Sequence, residues 1–131
     1  MQDRPTAPEL LEAIEEFLRE RSKNEPDRFF GFQFLVAANS LGILRREWEL
    51  EEGILRNEWD RLDALLGADP RPHTASETRL ALLARTDRLC DDIRAGVFDE
   101  PPAEAALLEH LIATSREKLV ITSPQQAEEP A

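Results

Sequence analysis

The stretch from Phe29 to Leu44, FFGFQFLVAANSLGIL, carries no charge, inside a chain of 131 residues of which 33% are charged. Such a run must be covered on more than one side, by a membrane or by the chain itself. A membrane span needs about 20 apolar residues, and Arg28 and Arg45 bracket this run closely. It is therefore read as the central helix of a bundle, apolar on nearly all faces and packed against several neighbours.

The rest of the composition points the same way. Leu, Ala, Glu and Arg dominate between segment ends at which most of the nine prolines and five glycines fall, and Tyr is absent. That is a helical vocabulary, poor in the β-branched and aromatic residues that strands favour. The expected fold is all-α, a compact bundle of four to five helices with a mostly buried second helix. One domain is expected over 1–124, with 125–131 (QQAEEPA) as a disordered tail.

The formal net charge is −11. Phosphate binding needs a basic stripe that this chain would assemble against its own field, so no nucleic acid is expected, and a basic or neutral protein surface is the easier partner. The opening MQDRPTAPE lacks the basic and apolar regions of a secretory signal, and a single cysteine makes no internal disulfide. A cytoplasmic location without membrane attachment is expected.

Along the chain, Thr6-Ala7-Pro8-Glu9 is a capping box, and it starts a helix with Leu10, Leu11, Ile14, Phe17 and Leu18 on its apolar side and Glu12, Glu15, Glu16 and Arg19 opposite. The second helix begins near Asp27. Its stripe Leu41, Leu44, Trp48 can be continued through Leu55, Trp59, Leu62 and Leu66, but a helix from 29 to 66 would be about 57 Å long. A compact domain of this size has a radius of gyration of about 14 Å. A break is therefore expected at Glu52-Gly53. Gly67 reads as a stop, and Thr74-Ala75-Ser76-Glu77 as a second capping box. The helix it starts presents Leu80, Leu82, Leu83, Leu89, Cys90 and Ile93, and ends at Arg94-Ala95-Gly96. Asp99-Glu100-Pro101-Pro102 opens a last helix with Leu107, Leu108, Leu111, Ile112 and Leu119 inward, closed by Ser123-Pro124.

Chemistry has few places to hide in this pattern. Asn39 and Arg46 lie seven residues apart, on one face with Val36, Ile43 and Leu50, and both are expected to be partly buried. A buried guanidinium requires a carboxylate from another helix, so one reading is an internal polar network that sets helix register. The other is an anion site in which Asn39, Arg46 and Lys118 converge on a phosphate or carboxylate. The acidic spacings Glu12, Glu16, Glu20 and Glu49, Glu52 raise a di-metal site, but neither His73 nor His110 follows Glu at the spacing that such bundles use, so solvated helix faces are expected and no metal or cofactor. His73 and His110 are read as ordinary surface residues. Cys90 is read as a small buried apolar residue. Trp48 and Trp59 either close the bundle end or serve as interface anchors for a partner or a second copy of the chain.

The runs RPTAPELLEAIEEFLRE, VAANSLGILRREWELEEG, LCDDIRAGVFD and LLEHLIATSREKLVITSP resemble a family of small bacterial helical proteins. The resemblance is carried by Asn39, the pair Arg46 and Glu47, the turn Ile93, Arg94, Gly96, and Lys118 with Leu119. It implies a domain found beside or fused to aminoglycoside-phosphotransferase-like kinases, near acyl-CoA dehydrogenases, with no activity of its own assigned. Trp48, Trp59 and the aromatic run FFGFQF depart from the family pattern. The functional expectation is a non-catalytic accessory or interaction module working with such a kinase or dehydrogenase, with a homodimer also expected. The alternative is a small-molecule binder or enzyme with a polar pocket of Asn39, Arg46, Glu47 and Lys118.

Overall fold

A computed structural model describes residues 4–128, and among them the regular structure is all α-helical. The helices are α1 (Ala7–Asn24), α2 (Arg28–Leu66), α3 (Ala75–Arg94), α4 (Ala103–Thr122) and α5 (Pro124–Ala127). Both capping boxes form. Thr6 Oγ1 accepts from the Glu9 amide while the Glu9 carboxylate accepts from the Thr6 amide, and Thr74 and Glu77 repeat the exchange at the start of α3. Two of the orphan amide donors at each helix start are satisfied by this reciprocal pairing. At the other ends, Gly67 after α2 and Gly96 after α3 have φ of 94° and 78°, a region that side chains disfavour.

The chain groups into two compact units, Met1–Leu50 and Glu51–Ala131. The second contains the hydrophobic core. Leu55, Trp59 and Leu62 of α2, Leu82 and Leu89 of α3 and Phe98 of the α3–α4 connection form it, with Leu65, Leu66, Ala81, Ala103 and Leu107 packed around them. The stripe Leu55, Trp59, Leu62, Leu66 is thus as expected. On α3 the inward residues are Thr78, Leu82, Arg85 and Leu89, spaced four, three and four. Leu80 and Leu83 lie off that row and are exposed, and Cys90 is half-buried. Leu108, Leu111 and Ile112 of α4 are likewise exposed, and the buried residue of that helix is His110, which corrects its reading as a surface histidine.

Further expectations are corrected. Helix α2 runs unbroken through Glu52-Gly53. The break rested on enclosing the helix in one compact body, whereas each unit takes part of α2. A helical glycine lowers stability by about 1 kcal/mol without ending a helix, and the residues around Gly53 are good helix formers. Nor is the second helix mostly buried: Phe29, Phe30, Phe32, Leu35, Val36 and Leu44 are exposed, and Ala38 is the buried hydrophobic residue of its first half. On α1, Leu10, Ile14 and Phe17 are exposed and the buried residue is Glu15, at 8% exposure. Part of the expected tail forms α5, and positions 129–131 lie outside the described residues.

Candidate functional site

The first unit is built on a close approach of two helices. On α2, Gly31, Ala38 and Gly42 are buried, and their spacings of seven and four put them on one side. A Cβ on Gly31 would stand 3.2 Å from the Ser22 carbonyl oxygen, and one on Gly42 2.9 Å from Glu15 Oε1. The Ser22 hydroxyl donates to the Gly31 carbonyl at 2.7 Å. Small residues let α1 come this near, and the space at Gly42 admits a carboxylate instead of an apolar side chain.

That carboxylate is held by two arginines. Arg19 Nη2 donates to Glu15 Oε1 at 2.9 Å, and Arg45 Nη2 to Glu15 Oε2 at 3.3 Å. Arg45 also pairs with Glu49 at 3.8 Å. Burial by itself would push the Glu15 carboxyl up; the hydrogen bonds and charges of Arg19 and Arg45 outweigh it and hold the group below its ordinary value. A carboxylate–guanidinium pair between α1 and α2 therefore exists, formed by Glu15 and Arg45.

Since α1 occupies one side of α2, the other sides carry two apolar columns. Phe30, Phe34, Ala37, Leu41, Leu44 and Trp48 follow one another at spacings of four and three along one flank. Phe32, Val36, Asn39, Ile43, Arg46 and Leu50 do the same along the opposite flank. These are heptad-type stripes, the pattern that seats against further helices. Arg21 of α1 lies over the Phe34 ring at 5.8 Å, which joins the first column to the row Leu10, Ile14, Phe17, Arg21 of α1. Phe17 is 60% exposed and Trp48 69%.

The residues singled out from sequence fall as follows. Asn39 and Glu47 are exposed and Arg46 is half-buried, with its guanidinium 3.2 Å from the position of a Cβ on Gly42. Asn39 was expected to be partly buried; its column faces outward because α1 covers only the Gly31–Ala38–Gly42 side. Lys118 is exposed on α4, in the second unit. The tryptophans divide. Trp59 is 3% exposed, its indole N–H donates to the Asp69 carbonyl at 3.0 Å, and the Arg85 guanidinium stacks on it at 4.4 Å. Trp48 is thus the tryptophan that a partner can reach.

The second unit holds polar groups that sequence reasoning missed. Arg85 pairs with Asp63 at 2.7 Å and donates to the Gly67 carbonyl, with Arg88 donating to Leu66, so two cations of α3 meet the carbonyl end of α2. Arg61 grips Glu117 with two hydrogen bonds, at 2.6 and 3.1 Å, and also donates to Thr114. His110 lies near this pair, its Nδ1 buried without a hydrogen-bond partner. Burial, followed by the Arg61 charge, pushes its imidazole below the ordinary value. The signal was present in the spacing, since Thr78, Leu82, Arg85 and Leu89 make a cleaner helical stripe than Leu80, Leu83 and Ile93. A groove of about 310 Å³ lined by Leu111, Ile112, Arg116, Leu119 and Gln126 lies along α4 and α5. Among the described residues, no group of three or more His, Cys, Asp or Glu is placed to hold a metal ion, and no helix is long and apolar enough to cross a membrane.

Compared with known proteins, residues 26–126 match the family model described as a domain of unknown function (DUF6285), and the chain belongs to that family. No curated protein and no solved structure matches it.

Proposed function

We propose that this member of the DUF6285 family is a non-catalytic accessory module that binds a partner protein through the Phe32, Val36, Asn39, Ile43, Arg46 column of α2. The observation that carries this reading is the exposure of large apolar side chains along a column with polar residues set among them. Interfaces are built this way, with apolar anchors supplying affinity and a few polar groups fixing register. Meanwhile Glu15, Arg45, Arg61, Arg85 and Glu117 are engaged by residues of their own chain, which leaves them poorly placed for chemistry on a substrate. The acidic balance favours a partner with a basic or neutral surface. The resemblance names the candidates: an aminoglycoside-phosphotransferase-like kinase or an acyl-CoA dehydrogenase, both in the cytoplasm.

The test is direct binding of the purified chain to each candidate, with Phe32→Glu as the matched variant. A micromolar complex with one of them that Phe32→Glu abolishes supports the reading. Failure of both candidates to bind the unmodified chain at that concentration overturns it.

A further inference from the structure

The opposite flank of the α1–α2 pair supports a separate inference, on residues that the partner surface above does not use. We infer that a second copy of this chain packs here, its own α1–α2 pair antiparallel to the first, so that four helices enclose Leu10, Ile14 and Phe17 of α1 and Phe30, Leu44 and Trp48 of α2.

Among its described residues, the first unit lacks an apolar core of its own. A pair of helices becomes stable by burying an apolar stripe, yet in the described part of the first unit the buried residues are Glu15, Gly31, Ala38 and Gly42. No large apolar side chain is among them. The column of α2 and the row of α1 both have the four-three spacing that seats helices in bundles, and the stacking of Arg21 on Phe34 sets them side by side as one surface.

The exposed apolar surface on this flank is large enough for a stable contact. Phe and Trp side chains bury 150–250 Å² when fully covered. Three aromatic and three smaller aliphatic side chains, each about half exposed, therefore contribute about 500 Å², more than half of the roughly 800 Å² that each partner brings to a stable interface.

Charge selects the occupant and its direction. Along α1, residues 7–18 carry four acids (Glu9, Glu12, Glu15, Glu16) and no base, a net −4. Around the turn, residues 19–30 carry four bases (Arg19, Arg21, Lys23, Arg28) and three acids (Glu20, Glu25, Asp27), so 4 − 3 gives +1. A two-fold axis that runs the copies antiparallel sets the basic turn of each against the acidic end of the other. A parallel pairing would oppose −4 to −4. An apolar surface with opposite fields at its two ends is self-complementary, as an isologous contact requires.

The experiment is sedimentation equilibrium on the full chain, unmodified and as Leu44→Glu, with Phe32→Glu as a control on the other flank and circular dichroism to verify helicity. The expected result is a dimer at micromolar concentration, a dissociation constant raised about tenfold or more by Leu44→Glu, and no change with Phe32→Glu. A monomer throughout the micromolar range overturns the inference, as does a dimer that Leu44→Glu leaves intact. If Leu44→Glu does not fold, acrylamide quenching of the unmodified chain decides: Trp48 shielding that grows with protein concentration supports the dimer, and concentration-independent quenching overturns it. A monomer that still binds a kinase or dehydrogenase sinks this inference alone and leaves the proposed function standing.

Discussion

Glu15 of α1 occupies the space that a side chain at Gly42 of α2 would need, its Oε1 standing 2.9 Å from where a Cβ would be. Carboxyl ends are usually mobile enough to yield, but this one is tied to Arg19 and Arg45. Gly42→Ala must therefore separate the helices or break the ion pairs. The expected cost is about 1–3 kcal/mol, the range for overpacking a close contact. Urea unfolding of the variant checks this, and a midpoint at or above that of the parent chain would contradict the account of the helix contact.

The same carboxylate predicts an acid-sensitive component of stability. Its folded pKa is held below 4.5 by the two arginines despite burial. A depressed carboxylate contributes stability that is fully present above its unfolded pKa and is lost as pH falls through the folded one. Glu15→Gln should thus weaken the chain at neutral pH, and the gap between parent and variant should close as pH falls below about 4.5. Denaturation midpoints measured at neutral and acid pH give the comparison, and a gap that stays constant counts against the ion pair.

How far the residues announced this arrangement depends on what each signal measured. Thr6–Glu9 and Thr74–Glu77 were legible because a capping box is local, with donor and acceptor three residues apart. The stripe Leu55, Trp59, Leu62, Leu66 was legible because its residues are all large and apolar, whichever helix covers them. Glu15 was not, because its burial depends on the gap at Gly42, twenty-seven positions away, and a glutamate on a helix otherwise rich in glutamate looks solvated. The heptad columns of α2 could be seen as apolar, but periodicity does not say whether the covering helix belongs to the same chain. Asn39 and Arg46 were placed on one face correctly and Arg46 is half-buried as expected, while burial was assigned to Asn39 on the premise that every apolar face of α2 finds a neighbour within one compact domain.

Gly53 offers a test of helix continuity. It lies inside α2, exposed, and a Cβ added to it would meet no atom within 4 Å. Replacing it by alanine removes backbone freedom from the unfolded chain without a clash. Gly53→Ala should raise stability by about 0.5–1 kcal/mol. If the chain instead bent at this position, alanine would be neutral or harmful, and thermal or urea unfolding tells the two apart.

His110 makes the last prediction, and its pH dependence runs in the same direction as that of Glu15 for a different reason: burial disfavours the charged imidazole, whereas the arginines favour the charged carboxylate. The ring is 5% exposed, and its Nδ1 lacks a hydrogen-bond partner. Burial comes first in holding its pKa below 6.5, with the charges of Arg61 and Lys118 adding to the effect and Glu117 opposing it. The folded chain therefore keeps the imidazole neutral at pH values where the unfolded chain protonates it. Between the folded pKa and about 6.5 the unfolded state binds more protons, so stability falls as pH drops through that window and levels off below it. His110→Gln removes the titrating group while retaining a polar side chain of similar reach. Its stability should show less loss than the parent between pH 7 and 5, whatever its value at pH 7. Urea midpoints across that range decide the matter: parallel profiles for the two chains would mean that His110 does not titrate differently on folding.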